Sequence, residues 1–173
     1  MVVSGLPGSG KTTLARSLSI SLGLPLLDKD DLLESLLDSV GASSPDERGR
    51  LSRASDSVMQ RVAEAAPGAV LASFWRRESL SVTSGTPTEW LRTLPGVVEV
   101  LCECPPLQAA ERFHARERHA EHFDGLKSFA DSLWEFERLA STLPLEVGPV
   151  VRVDTTDDVN VADVAAAVLA ASV

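Results

Sequence analysis

The sequence predicts an α/β fold in which a five-stranded parallel sheet is covered by helices on both faces. Two observations carry that expectation. Short apolar runs rich in β-branched residues, at 1–4, 25–28, 69–74, 97–104 and 149–154, alternate with longer stretches whose apolar residues recur every three or four positions. The runs are also nearly all apolar rather than alternating, as strands buried on both faces are.

Between the first two runs, Leu14, Leu18 and Leu22 form one helical stripe, and after the second Leu32, Leu33, Leu36, Leu37 and Val40 form another. Ser44-Pro45-Asp46-Glu47 opens a third helix, with Ser44 as the cap, Pro45 in the first turn and Glu47 completing a capping box; Pro67-Gly68 stops it. Val161, Val164, Ala165, Val168 and Leu169 form the buried face of a closing helix. No internal repeat or long linker divides the 173 residues, so residues 1–173 are expected to form a single domain.

Composition narrows the class. Hydrophobic residues make up 44% and charged residues 24%, which excludes collagen-like and disordered chains. No apolar run approaches the roughly 20 residues of a membrane span, and the first residues lack a signal-peptide layout, so a cytoplasmic location is expected. A net charge of -9 disfavours nucleic acid and membrane surfaces and favours small-molecule partners. Cys102 and Cys104 lie two apart in a strand-like run, which puts both on one face as packed, reduced side chains.

The most specific motif is Gly5-Leu6-Pro7-Gly8-Ser9-Gly10-Lys11-Thr12, which matches G-x-x-x-x-G-K-[ST] between a strand and a helix. Such a loop points backbone N–H groups at phosphate oxygens, and the helix N-terminus adds positive potential. Lys11 is expected to reach the β- and γ-phosphates and Thr12 to offer its hydroxyl to Mg²⁺, with Thr13 following in the helix. The nucleotide-binding candidates are therefore Gly5, Pro7, Gly8, Ser9, Gly10, Lys11, Thr12 and Thr13. At the end of the second strand, Asp28-Lys29-Asp30-Asp31 faces the same crevice. Asp30 is the candidate general base for an acceptor hydroxyl, and Asp28 the candidate for a water of the Mg²⁺ shell. The alternative is that Asp30 and Asp31 only cap and charge the following helix.

These residues resemble the P-loop small-molecule kinases, a family that includes chloramphenicol phosphotransferase, shikimate and gluconate kinases, zeta toxins and the kinase domain of polynucleotide kinase. The resemblance rests on Gly5 to Thr12, the Asp28-Lys29-Asp30 turn, an arginine-rich segment and Val153-Asp154-Thr155. It implies a three-layer P-loop NTPase fold with strand order 2-3-1-4-5, an arginine-containing lid near 112–125, and Asp30 as base. Arg112 and Arg116 fall on one helical face with Arg118 half a turn on, so they are candidates to stabilise the transferring phosphoryl group or hold the nucleotide. Otherwise they belong to a solvated helix paired with Glu111, Glu117 and Glu121. His114, His119 and His122 share this stretch without the spacing of a zinc site. Trp75 and Arg76 follow the third strand as acceptor-site candidates, and Ala72-Ser73 stands where many relatives carry a Walker-B Asp. Asp154 and Thr155 are placed by the resemblance beside the adenine. Trp90, Phe129, Leu133, Trp134 and Phe136 read as core or pocket wall.

The function implied is ATP- and Mg²⁺-dependent transfer of a phosphoryl group to the hydroxyl of a small molecule. A nucleotide-dependent switch with a protein partner and a 5′-hydroxyl polynucleotide kinase are the competing readings.

Overall fold

Each of the five apolar runs forms a strand, and the strands pair in parallel into one sheet. The computed structural model describes residues 1–76, 85–116 and 128–172. Its elements are β1 (Val2–Gly5), α1 (Lys11–Leu22), β2 (Leu26–Asp28), α2 (Lys29–Val40), α3 (Pro45–Ala65), β3 (Val70–Ala72), β4 (Trp75–Arg76), β5 (Thr86–Pro87), β6 (Glu99–Glu103), α4 (Pro106–Ala115), α5 (Phe129–Ala140), β7 (Val150–Asp154) and α6 (Val161–Ala171). The sheet order is β2-β3-β1-β6-β7, which is the expected 2-3-1-4-5 arrangement of the main strands. Registers such as Val3 against Ala72 and Val3 against Val100 put β1 at its centre. The short strands β4 and β5 pair separately, Trp75 against Thr86, and were not anticipated.

Two layers of side chains fill the space on either side. On one face α1 and α6 press Leu14, Leu18, Val164 and Val168 onto Val3, Val100 and Val153. On the other, Met59 of α3 packs with Val2, Leu71 and Leu145, and α4 and α5 pack Ala109, Ala110 and Phe136 around Leu6 of the loop. Burying this apolar area is the main source of stability. Not every expected stripe residue is inside: Val40 and Leu169 are 71% and 60% exposed because each sits at the last turn of its helix, past the neighbour that would cover it.

Strand ends correct the cysteine expectation. β6 stops at Glu103, so Cys102 packs in the α1/α6 layer while Cys104, beyond the ladder, turns to the α4/α5 layer. Burial pushes the Cys102 thiol up to about 12, so it stays protonated. The cap of α3 also differs by one residue: Ser44 accepts from the Glu47 N–H at 3.3 Å, but the Glu47 carboxylate takes the N–H of Ser43. Beneath the sheet, the fully buried Glu99 carboxylate accepts from Ser4 Oγ at 2.6 Å, Leu145 N at 2.9 Å and Glu146 N at 3.2 Å. It ties β1 and β6 to the segment that follows α5, with no orphaned buried charge.

Candidate active site

All parallel strands end at one edge of the sheet, and the segments leaving β1, β2 and β3 there surround a cleft of about 660 Å³. The loop between β1 and α1 forms its floor. Gly10 caps α1 in the left-handed region (φ 87°) with no side-chain hydrogen bond, and no acidic residue occupies the first turn. The N–H groups of that turn are therefore left for an anion. Gly8, at φ 80°, lets the loop touch α4: a Cβ there would lie 2.1 Å from the Ala109 carbonyl oxygen. Pro7, Gly8, Gly10, Lys11, Thr12 and Thr13 line the cleft. Gly5 and Ser9 do not; Ser9 is buried behind the loop, and a Cβ on Gly5 would strike its Oγ at 2.7 Å and the Cys102 carbonyl at 2.6 Å.

Lys11 donates to the Leu6 carbonyl at 2.7 Å. Desolvation lowers its pKa to about 8, partly offset by the Asp30 and Asp28 charges and reinforced by Arg116. Asp28, 5% exposed, is the N-cap of α2: its Oδ1 accepts the Asp30 N–H at 3.0 Å. The capping role weighed for Asp30 and Asp31 thus belongs to Asp28. Asp31 points outward to Arg16 at 3.2 Å, an exposed pair of small energetic weight, while Asp30 lines the cleft. Asp28 Oδ2 is buried without a hydrogen bond. Burial raises the pKa of this carboxyl, and the Thr12 hydroxyl beside it acts in the opposite direction. An orphaned carboxylate oxygen next to the motif threonine, both of them hard oxygen donors, fits a hydrated Mg²⁺.

The arginines separate. α4 ends at Ala115, so Arg112 and Arg116 do not share a helical face as expected; Arg116 is already extended (ψ 140°). Arg112 donates to the carbonyls of Thr155 at 2.8 Å and Thr156 at 2.6 Å. There it lines a second hollow with Gly10, Thr13, Thr155 and Asp158 on the far side of the loop. Arg116 lines the main cleft, over the Phe113 ring at 5.5 Å and within electrostatic reach of Asp30, Asp28 and Glu34. Arg118, His119, His122 and Arg77 lie outside the described residues, as does most of the expected lid. His114 meets Ser132 Oγ at 3.0 Å, joining α4 to α5.

Trp75 does not reach the cleft. Its indole donates to the Val3 carbonyl at 2.8 Å and its ring packs near Trp90, 6% exposed, because β4 turns it inward. Arg76, on the opposite face of β4, does line the cleft. Trp134 is 60% exposed with Arg138 over its ring at 4.7 Å, outside the core. Asp154 is exposed, and the Thr156 hydroxyl together with the Thr156 N–H, which it accepts at 2.8 Å, lowers its pKa; it shapes the loop that Thr155 contributes to the second hollow.

Sequence reasoning missed the wall that α3 contributes. Arg48, Ser52 and Asp56 recur every fourth residue and line the cleft with Arg53. Lys29 Nζ donates to Ser52 Oγ at 2.7 Å. Asp56 accepts from Thr86 Oγ1 at 2.7 Å, and Thr86 meets Ser73 Oγ at 2.5 Å. Burial raises the Asp56 pKa and lowers that of Lys29. The signal was a polar stripe at helical spacing with Gly49 inside it, which reads equally as a solvated face.

A phosphate-binding loop between β1 and α1, at the centre of a parallel sheet with an acidic turn after the neighbouring strand, defines a P-loop α/β protein. Residues 1–138 match the model of a family described as AAA domain, and the chain belongs to that family. No curated protein matches the sequence. Among solved structures, the fold is similar to a Chloroflexus aurantiacus protein described as a kinase (TM-score 0.76, 23% identity, 98% of this chain and 96% of that one). It is also similar to shikimate kinase from Acinetobacter baumannii (0.60, 19%, 97% and 89%) and to a gluconokinase from Sinorhizobium meliloti (0.54, 20%, 99% and 89%).

Proposed function

We propose that the protein is a kinase that transfers the γ-phosphoryl group of ATP to a hydroxyl of a small molecule. The observation that carries this reading is the cleft itself: Lys11 and Asp30 face each other electrostatically across it, and roomy polar space continues beyond Asp30 toward α3. A switch that only binds nucleotide has no use for a carboxylate and a second compartment at that position. The similarity in fold to shikimate kinase and a gluconokinase supports the same reading.

In this mechanism the triphosphate lies on the loop from Gly5 to Thr12, with Lys11 against the β- and γ-phosphates. Binding reprotonates Lys11, because an adjacent phosphate favours its charged form. Thr12 and Asp28 hold the magnesium ion, which supplies charge neutralisation on the phosphate oxygens. Asp30 accepts the proton of the attacking hydroxyl as the oxygen–phosphorus bond forms, in line and without a covalent enzyme intermediate. Arg116 stabilises charge on the transferring group, and Arg112 acts as a positioning residue by fixing the Thr155–Thr156 carbonyls beside the nucleotide.

The test is ³¹P NMR of Mg²⁺-ATP with the protein and pooled hydroxyl compounds, run beside Asp30→Asn. A new phosphomonoester resonance is expected, slowed about 10²- to 10⁴-fold in the variant, with affinity for a non-hydrolysable ATP analogue retained. Transfer that survives Asp30→Asn removes Asp30 as base. ADP and inorganic phosphate alone favour the nucleotide switch.

A further inference from the structure

The wall of the cleft opposite the phosphate loop contains a cation that the mechanism above does not use. Lys29 is 8% exposed, and its ammonium makes one hydrogen bond, to Ser52 Oγ at 2.7 Å. An ammonium has three donors. No described carboxylate lies within ion-pair distance of it: Asp56 and Asp30 act on its charge only from farther away. Asp56, the largest of these influences, is itself engaged by the Thr86 hydroxyl. A buried charge with two of its three donors unfilled is costly to the fold and is ordinarily paired. Lys29 lines the cleft.

We propose that Lys29 is the docking point for an anionic group, a carboxylate or a phosphate, carried by the molecule that occupies this half of the cleft. That this molecule is the phosphoryl acceptor rests on the kinase reading; the anion site does not. Charge distribution supports an anion over a neutral polar group. In a chain of net charge -9, Lys29, Arg48, Arg53 and Arg76 line this cleft against Asp30, Asp56 and Glu135. Lys29 and Asp30 both line the cleft, so a molecule anchored on Lys29 can offer a hydroxyl to Asp30 within the same cavity. The acceptor class is a hydroxy acid or a phosphorylated polyol.

The chain has three lysines, Lys11, Lys29 and Lys127, so its side-chain ¹³Cε–¹⁵Nζ spectrum is simple enough to test this directly. The loop is first filled with Mg²⁺ and a non-hydrolysable ATP analogue, which keeps added anions off Lys11. Acetate, inorganic phosphate and acetamide are then titrated at fixed pH up to about 100 mM, the range of fragment affinities, with Lys29→Met identifying the resonance. A saturable shift of Lys29 with acetate or phosphate and none with acetamide is expected, and the anion that saturates first identifies the group. A Lys29 signal that neither anion moves, or that acetamide moves equally, overturns the proposal. In turnover, Lys29→Met is expected to raise KM for an anionic acceptor about 10- to 100-fold, the weight of one charge-assisted hydrogen bond, with a much smaller change in kcat and partial rescue by Lys29→Arg. Equal KM values for a hydroxy acid and its carboxamide in the wild-type protein overturn it as well. Should Lys29 respond to anions while no phosphomonoester forms with any acceptor, the anion site stands and the kinase reading falls.

Discussion

Without nucleotide, Lys11 is half-protonated near pH 8, because its ammonium has left water for the Leu6 carbonyl and a few distant carboxylates. Its folded pKa lies below the unfolded value, so the cost of charging it is present in full below about 8 and fades as pH rises toward 10.5. A triphosphate on the loop removes that cost by pairing the charge. Binding of a Mg²⁺-bound ATP analogue should therefore take up about half a proton at pH 8 and about a tenth at pH 7. Calorimetry in buffers of different ionisation enthalpy measures this, and uptake that does not grow between the two pH values removes Lys11 as the phosphate contact. Lys11, Thr12 and Asp30 could be named from sequence because a short motif fixes each within a few residues of the loop or the strand end. Lys29 and Asp56 could not: their chemistry comes from α3 crossing beside α2, a juxtaposition that no local pattern encodes. Trp75 failed for a related reason, since the side chain that faces the cleft was decided by the parity of a two-residue strand.

At the scale of elements, the contact between the phosphate loop and α4 is backbone against backbone. Gly8 permits it, and a Cβ there would meet the Ala109 carbonyl at 2.1 Å and the Phe113 nitrogen at 3.1 Å. Gly10 has a similar positive φ, but its Cβ would find nothing nearer than the Thr155 Cβ at 4.0 Å. The pair separates conformational strain from collision. Gly10→Ala should cost about 1–2 kcal/mol, roughly 2–8 °C in Tm for a chain of this size. Gly8→Ala should cost roughly 3 kcal/mol or more, because α4 has to move as well. Thermal unfolding of both variants decides it, and equal losses would mean that the loop and α4 do not hold each other. The helix ends themselves were unevenly legible. Ser44-Pro45 announces its helix start by cap chemistry, whereas nothing in Arg112-Phe113-His114-Ala115-Arg116 forecasts that α4 stops at Ala115. The parallel sheet was legible because its strands are apolar runs, with β1, β3 and β6 buried on both faces; β4 and β5, two residues each, are too short to have a period.

Across the whole molecule, the charges are sorted. Among the described residues, six lysines and arginines line the main cleft against four carboxylates, which leaves the rest of the chain more acidic than its net charge of -9 suggests. A small anion can enter such a cleft and meet Lys29, Arg48, Arg53 and Arg76 on its wall, where low dielectric strengthens each contact. An oligonucleotide cannot, since one end would occupy the cleft while its remaining phosphates lay along an acidic exterior. Fluorescence anisotropy with a labelled single strand bearing a 5′-hydroxyl should thus give a Kd weaker than about 10⁻⁴ M near 50 mM salt, at or below the strength of ordinary non-specific binding. Titrated salt should leave that weak signal unchanged, because few counterions are released. Micromolar binding that weakens steeply with salt would reverse the inference: the wall formed by Lys29, Arg48, Arg53 and Arg76 would then be contacting a phosphate backbone, and the polynucleotide reading would displace the small acceptor.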